Sequence, residues 1–196
     1  MKILVACEYS GIVREAFKAK GHDAWSCDIL PTDIPGNHIQ DDVLNHLEGW
    51  DMMIAHPPCT YLSKAGARWM HGGGSINQQR LSMAIEAKKF FMCLLNAPIN
   101  KIAIENPKPL KIVNLPKPSW SIQPYEFGEP YSKKTLLWLK NLPPLMPQIL
   151  SDHTPFLPSN TGGAKRGQKA TYRNISQKES AKTFQGIANA MADQWG

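Results

Sequence analysis

The sequence lacks a long apolar run, and this absence argues against a protein that spans a membrane with a helix. No window of the 196 residues approaches the ~20 consecutive apolar residues that a membrane-spanning helix needs. The apolar run KILVAC at residues 2–7 is too short and too soon interrupted for a secretory signal. We therefore expect a cytoplasmic protein, and its length is typical of one domain.

Cysteine pairs and repeats are also missing. The four cysteines stand at irregular spacing without a C-x-x-C motif, so a disulfide framework is not expected. A zinc site built from His56 and the scattered cysteines would fit no structural zinc spacing, and no metal is expected. No segment of the chain repeats another.

Charge is unevenly distributed. Residues 1–50 hold four Lys/Arg against eight Asp/Glu, whereas residues 51–196 hold eighteen against eight, and the net charge is +6. An acidic first quarter suits a cationic or hydroxyl-bearing small ligand, and a basic remainder suits a polyanion. Ordinary surface charge that keeps the protein soluble is the alternative.

Strands and helices alternate in the way that a parallel sheet requires. Residues 2–7 form an unbroken apolar run, typical of a strand covered on both faces. Residues 11–21 carry an apolar helical stripe and end at a glycine, and residues 22–29 have the pattern of a second strand. A strand at 51–55 and a long helix at 76–97 follow. With a further strand at 101–107, the pattern predicts an α/β fold with a doubly wound, mostly parallel sheet.

The composition changes after residue 107. Residues 107–158 contain eleven of the sixteen prolines, with one strand-like run at 135–140. Residues 161–182 hold six Lys/Arg against one acidic residue, and a solvated polar tail is the alternative to a functional basic segment. Residues 180–195 predict a closing helix. We predict a catalytic core over 1–140, a small irregular basic insertion over 141–180 and a helix that returns to the core over 181–196.

Candidate ligand-binding residues follow the first two strands. In open α/β sheets, ligands bind beyond the carboxyl ends of the strands. Ser10 and Gly11 can form a tight turn whose amides approach a ligand closely. Asp28 stands seventeen residues beyond Gly11, near the usual offset of a carboxylate that binds ribose hydroxyls. This combination favours a nucleoside-containing ligand, but it is a weak signal by itself.

The motif HPPC ends the next strand and places Cys59 on a loop that two prolines stiffen. An exposed thiolate there can act as a nucleophile, and a small buried core residue is the alternative. The other cysteines, Cys7, Cys27 and Cys93, lie inside apolar runs and are predicted to be packing residues.

The motif IAIEN places Glu105 at the end of a buried strand. A carboxyl group is costly there unless it has a partner or a role, and capping of the next turn is the alternative. A Cys and a Glu at the ends of two strands of one sheet form a known chemical pair. C5 of a pyrimidine becomes nucleophilic when a thiolate adds to C6 and a proton donor beside N3 stabilises the developing charge.

In this order, the motifs resemble those of the cytosine-5 DNA methyltransferases. The turn YSG at 9–11 is similar to the one that starts the family's S-adenosylmethionine site, and DDV at 41–43 to its adenine-contacting motif. HPPCTYLS resembles the nucleophile loop, and IENP resembles the Glu-Asn pair that binds the flipped cytosine. FQGIANAM at 184–191 is similar to the late Gly-Asn-Ala motif. The resemblance covers most of the chain.

The resemblance implies a Rossmann-like methyltransferase fold, S-adenosylmethionine as cofactor, and transfer of a methyl group to C5 of cytosine in DNA. It also implies that the DNA is double-stranded and that the target base is flipped out of the duplex. The residues that it implies for catalysis are Cys59, Glu105 and Asn106. Those implied for the cofactor are Tyr9, Ser10, Gly11, Asp28, Asp42, Pro57 and Asn189. Those implied for DNA are Ser63, Lys133, Lys134, Lys165, Arg166, Lys169 and Arg173. A monomer is expected.

The chain departs from the family pattern in three places. Val13 stands where the family's first turn usually carries another glycine. Lys133 and Thr135 stand where the family uses two arginines, and a lysine cannot offer the planar fork of arginine. The region available for target recognition is short, which predicts short or relaxed sequence specificity. An enzyme that modifies C5 of a pyrimidine in RNA or in a nucleotide, and an inactive DNA-binding homologue, are the alternatives.

Overall fold

The computed structural model describes residues 1–64, 67, 70–72, 75–129, 133–148 and 182–196. The strands in these ranges are β1 (Lys2–Ala6), β2 (Asp23–Asp28), β3 (His38–Gln40), β4 (Met52–Ala55), β5 (His71–Gly72), β6 (Ser75–Ile76), β7 (Lys101–Pro107), β8 (Trp120–Ile122) and β9 (Thr135–Lys140). The α-helices are α1 (Ile12–Ala19), α2 (Gln78–Leu95) and α3 (Gln185–Trp195). Short 3-10 helices span Val43–His46, Lys111–Val113 and Pro124–Phe127.

Seven strands form one sheet in the order β3-β2-β1-β4-β7-β9-β8, and β5 pairs separately with β6. Neighbours from β3 to β7 are parallel, and β9 runs antiparallel to both β7 and β8. A parallel sheet with one antiparallel strand inserted near its edge is the topology of the Rossmann-like, S-adenosylmethionine-dependent methyltransferase fold. The predicted α/β fold with a doubly wound, mostly parallel sheet is confirmed, whereas the predicted basic insertion over 141–180 lies for the most part outside the described residues.

Both faces of the sheet are covered, which explains why its strands do not alternate between apolar and polar residues. Ile3 and Val5 of β1 pack into a cluster that includes residues of α1 and α3. Leu4 and Ala6, which point to the opposite face, pack into a cluster that includes residues of α2. The helices therefore lie on the two sides of the sheet, and the edge formed by the strand ends is left for a site.

Three sequence-based predictions of local structure need correction. The closing helix starts at Gln185 and not at 180, because Phe184 is extended as its N-cap residue. A Cβ at Gly186, the second residue of the helix, would collide with the carbonyl of Phe127, so glycine is required for this close approach. The short strands β3 and β8 were not predicted, since three residues carry too little periodicity. Cys93 is exposed on α2 and is not a packing residue, because only the helix face with Phe91 and Leu94 is covered.

Among the described residues, no helix is long and apolar enough to cross a bilayer.

Candidate active site

The predicted nucleophile and the predicted carboxylate lie at the carboxyl ends of neighbouring strands, the first on a loop and the second on the strand itself. Strand β4 pairs in parallel with β7, so their carboxyl ends meet at one edge of the sheet. Cys59 follows β4 on its loop, and Glu105 is near the end of β7. The side-chain amide of Asn106 donates a hydrogen bond of 3.2 Å to the carbonyl of Pro57 and so ties the two strand ends together.

The Cys59 loop is folded back on itself. The carbonyl of Cys59 accepts hydrogen bonds from the amides of Leu62 (3.1 Å) and Ser63 (2.8 Å). Ser63, which was predicted to contact DNA, is only 3% exposed and pairs with Pro109 in an isolated bridge. Cys59 itself is partly exposed and forms no disulfide. The loop therefore presents a free thiol on a backbone held by hydrogen bonds.

Arg80 of α2 supports the far side of this loop. Its Nη2 donates a hydrogen bond of 3.0 Å to the carbonyl of Thr60, and its guanidinium lies 5.0 Å from the centre of the Tyr61 ring. The backbone amide of Leu110 donates to the carbonyl of Leu62 at 2.8 Å. Helix α2 and the segment after β7 thus fix the loop from two directions. Sequence reasoning did not identify Arg80, because its partners are twenty residues away in the chain.

Glu105 has a histidine partner that sequence reasoning considered only as a metal ligand. His56 Nδ1 lies 3.0 Å from Glu105 Oε2, and the two side chains are 13% and 14% exposed. Burial acts to lower the pKa of His56, but the close contact with Glu105 and its charge raise that pKa above the ordinary value. Burial acts to raise the pKa of Glu105, but His56 holds it below the ordinary value. The pair therefore favours a charged imidazole beside a carboxylate.

Two residues that stand where the resembled family has arginines lie in the neighbourhood of this pair. The Lys133 charge acts with His56 to lower the pKa of Glu105. Thr135 is buried, and its hydroxyl donates a hydrogen bond of 3.0 Å to the carbonyl of Lys133. The Lys133 ammonium lies 5.8 Å from the centre of the Phe184 ring at the start of α3. Lys133 therefore acts on Glu105 through its charge and Thr135 holds the Lys133 backbone, whereas Lys134 is exposed.

The first turn of α1 is capped by a buried carboxylate that was not predicted. Glu8 accepts hydrogen bonds from the amide of Val13 (2.7 Å), the amide of Arg14 (3.2 Å) and the hydroxyl of Ser10 (3.1 Å). Gly11 precedes the helix with φ 75°, a conformation that favours glycine. Because Glu8 occupies the helix N-terminus, a phosphate has no place there, and a positively charged ligand is favoured nearby.

Asp28 and Asp42 lie close to the same thiol, that of Cys7. Burial is the main reason that the pKa of Cys7 is raised, and both carboxylates add to the effect. Asp28 accepts a hydrogen bond from the amide of Leu30 (2.9 Å), and Asp42 caps the 3-10 helix that follows it. Ile29, next to Asp28, is 72% exposed at the carboxyl edge of the sheet. Sequence reasoning missed Ile29, although a bulky apolar residue beside such an acid is a usable signal.

The loop between β2 and β3 is anchored to the turn before α1 and to the segment before α3. The amide of Asp33 donates to the carbonyl of Tyr9 at 2.8 Å, and the Asp33 carboxylate pairs with Lys182 at 3.0 Å. Arg14 is fully buried and donates hydrogen bonds to Ser26 (3.0 Å) and to the carbonyl of Ile34 (2.6 Å). The segment before α3 thus contacts the loop after Asp28 through Lys182 and contacts His56 through Thr183.

The remaining predicted residues are more widely placed. Pro57 is buried in the nucleophile loop, while Asn189 is exposed on α3 and accepts a hydrogen bond of 2.9 Å from Gln185. Among the described residues, no cluster of three His, Cys, Asp or Glu side chains could hold a metal ion. Four residues predicted to contact DNA lie outside the described residues: Lys165, Arg166, Lys169 and Arg173.

Comparison with known proteins gives a structural likeness. Neither a protein-family model nor a curated protein sequence matches the chain. Among the solved structures, the chain is similar to an Escherichia coli protein described as a candidate DNA modification methyltransferase encoded within a prophage. The sequences are 15% identical, and the TM-score is 0.43. The match covers 70% of this chain, which spans only 45% of the length of that protein.

Proposed function

We propose that this chain transfers a methyl group from S-adenosylmethionine to C5 of cytosine in DNA, through a covalent bond between Cys59 Sγ and C6. The observation that carries the proposal is that the loop with Cys59 follows β4, that Glu105 lies near the end of the adjacent parallel strand β7, and that the bond from Asn106 to Pro57 joins the two segments. A thiol and a carboxyl group at one edge of a sheet are the two groups that activation of a pyrimidine at C5 requires.

The proposed reaction can be written as bonds that form and break at named residues of this site. The Cys59 thiolate adds to C6, and the π electrons of the ring shift so that N3 gains a proton and C5 becomes nucleophilic. Glu105 is the group that faces N3 and the exocyclic amine of cytosine. After C5 has taken the methyl group, water takes the C5 proton, the Cys59–C6 bond breaks with its electron pair returning to Sγ, and the ring becomes aromatic again.

The chemistry of the first two strand ends fits S-adenosylmethionine better than a phosphate-bearing cofactor. S-adenosylmethionine supplies an electrophilic methyl group on a positively charged sulfur. Glu8 closes the helix N-terminus to phosphate and favours a cation. Asp28 suits the ribose hydroxyls, the exposed Ile29 suits one face of the adenine, and Asp42 lies near enough to share the pocket.

DNA as the substrate is supported by the basic part of the sequence. Residues 51–196 carry eighteen Lys/Arg against eight Asp/Glu, and positive side chains bind phosphates without reading sequence. A duplex cytosine must be flipped out of the stack before Cys59 can reach C6, which costs a few kcal/mol. The short predicted insertion offers limited surface for reading bases, so a short or relaxed recognition site follows.

The deciding experiment measures transfer of a labelled methyl group from S-adenosylmethionine to four substrates: duplex DNA, single-stranded DNA, RNA and dCMP. Labelled 5-methylcytosine in DNA, lost in Cys59→Ala, is the expected result. Methylation of RNA alone or of dCMP alone would show that this molecule, and not DNA, is the substrate. DNA binding without cofactor binding in calorimetry, and equal inactivity of wild type and Cys59→Ser, would indicate an inactive DNA-binding homologue.

Covalent chemistry has its own test. Duplex DNA with 5-fluorocytosine at the target cannot lose a C5 proton, so wild type should form an irreversible adduct with it, seen as a shifted band after denaturation. Cys59→Ser should form none. Cys93→Ser is the matched control, since it changes an exposed thiol on α2 and should leave the adduct unchanged.

A further inference from the structure

His56 is held in one place against Glu105. Its backbone amide donates a hydrogen bond of 3.0 Å to the carbonyl of Ala6, which continues the pairing of β4 with β1. Its Nδ1 lies 3.0 Å from Glu105 Oε2 and 3.5 Å from the hydroxyl of Thr183. The His56 side chain is 13% exposed. Among the described residues, neither His56 Nε2 nor Glu105 Oε2 has a well-aligned hydrogen-bond partner, so the close contact of the two side chains is an ion pair. Such a ring is shielded from bulk water, and it lies close enough to Glu105 to exchange a proton with it.

Charged groups face this pair from several elements. Glu8 after β1 favours the charged form of His56, whereas Lys133 before β9 opposes it. Thr183, ahead of α3, offers a hydroxyl, and Cys59 lies three residues away on the same loop. The carboxylate of Glu105 is the nearest opposite charge, and it outweighs the burial of the ring. The pair thus holds one proton with no net charge.

Cytosine presents a specific difficulty to an ionised glutamate. N3 of neutral cytosine is a hydrogen-bond acceptor, and a carboxylate is also only an acceptor. Two acceptors facing each other repel, and N3 needs a proton when Cys59 adds to C6. A proton must therefore reach Glu105 from elsewhere in the site.

We infer that His56 is a positioning residue that supplies, through Glu105, the proton that N3 of the target cytosine takes up. The inference rests on the proposed function. When Sγ bonds to C6, the C5=C6 electrons form a C4=C5 bond and the C4=N3 electrons move to N3. N3 takes the proton of the pair, and His56 is left neutral beside an ionised Glu105. When the Sγ–C6 bond breaks, N3 returns that proton to the pair.

The first test compares the pH dependence of single-turnover methylation in wild type and His56→Gln. Dividing one rate by the other at each pH cancels every ionisation that the two proteins share. The variant should be about 100-fold slower near pH 6.5, where His56 of the wild type still holds the proton because its pKa is raised, and should approach wild type as the pH falls and Glu105 holds its own proton. A constant ratio at every pH, or no difference, would overturn the inference.

His22→Gln is the matched control, because His22 lies at the opposite end of β2, against Phe17. It should reproduce the wild-type rate and profile. Wild type that transfers no methyl group to any pyrimidine would overturn the proposed function instead, and that result is separate from a change in ratio.

A second measurement needs no turnover and no His56 variant. Carbon and proton resonances of the histidine rings, followed by NMR against pH, should show His56 in wild type titrating above the ordinary value of 6.5, and lower in Glu105→Gln. A His56 ring that titrates at or below 6.5 in wild type would refute the shared proton, whatever the activity of the enzyme.

Discussion

The side-chain amide of Asn106 donates a hydrogen bond to the carbonyl of Pro57, at 3.2 Å, across two strands that are far apart in the sequence. Asn106 is 1% exposed, and its Oδ1 has no hydrogen-bond partner among the described residues. The bond joins the strand that carries Glu105 to the loop that carries Cys59. Asn106 therefore contributes directly to the spacing between the nucleophile loop and the carboxylate.

Replacing Asn106 by Ala should loosen the Cys59 loop more than the cofactor pocket. The loss of one buried hydrogen bond costs about 1–3 kcal/mol, so adduct formation should slow by about 5- to 150-fold. The affinity for S-adenosylmethionine, measured by calorimetry, should stay within ~3-fold of wild type, well under 1.4 kcal/mol. Asn96→Ala, at the exposed end of α2, is the control. Equal losses in cofactor affinity and adduct rate would contradict a local role.

Replacing Glu8 by Ala should destabilise the fold through the start of α1. The change removes the acceptor for the amides of Val13 and Arg14 and leaves those donors buried. We expect the free energy of unfolding, from urea titration, to fall by about 2 kcal/mol. Glu48→Ala, an exposed glutamate, should change it by less than ~0.5 kcal/mol. Similar values for the two variants would show that Glu8 is not the cap.

Stability should depend on pH through the His56–Glu105 pair. The folded pKa of Glu105 is below its ordinary value of 4.5, so its contribution is present above 4.5 and is lost as the pH falls through the lowered pKa. The folded pKa of His56 is above 6.5, so its contribution is present below 6.5 and is lost as the pH rises through the raised pKa. Both contributions are complete between 4.5 and 6.5.

Urea unfolding of wild type and of the double variant His56→Gln/Glu105→Gln measures this dependence. The difference in the free energy of unfolding between them should be largest, in favour of wild type, at pH values between 4.5 and 6.5, and should decrease on either side. A difference that does not change with pH would mean that the pair is not charged in the folded protein.

The four thiols should differ in their reaction with a thiol-specific reagent. Cys93 is exposed and should react fast, whereas Cys59 is partly exposed and should react more slowly. Burial raises the pKa of Cys27 to about 11, so Cys27 should react only after unfolding. Cys7 is partly exposed but its pKa is also raised, so it should react more slowly than Cys59. Mass spectrometry of labelled peptides identifies the sites. Protection of Cys59 by bound DNA, with Cys93 unprotected, is the expected pattern; fast labelling of Cys27 would refute the described burial.

Much of the fold is readable in local patterns. The apolar run before HPPC predicts strand β4, and the unbroken runs at 2–7 and 101–107 predict strands covered on both faces, as observed. Cys59 and Glu105 were located because a reactive side chain at the end of a buried strand is unusual. The predicted DNA contacts beyond residue 148 and the cofactor role of Asn189 stay predictions.

The sequence by itself determined the alternation of strands and helices and the placement of Cys59, Asp28 and Glu105 at strand ends, since apolar period, glycine and proline act within a few residues. Only the tertiary structure decided that β4 lies beside β7, that β9 enters between β7 and β8, and that His56 meets Glu105. Strand order follows from how distant apolar faces pack together, and a local pattern carries no record of which strands become neighbours.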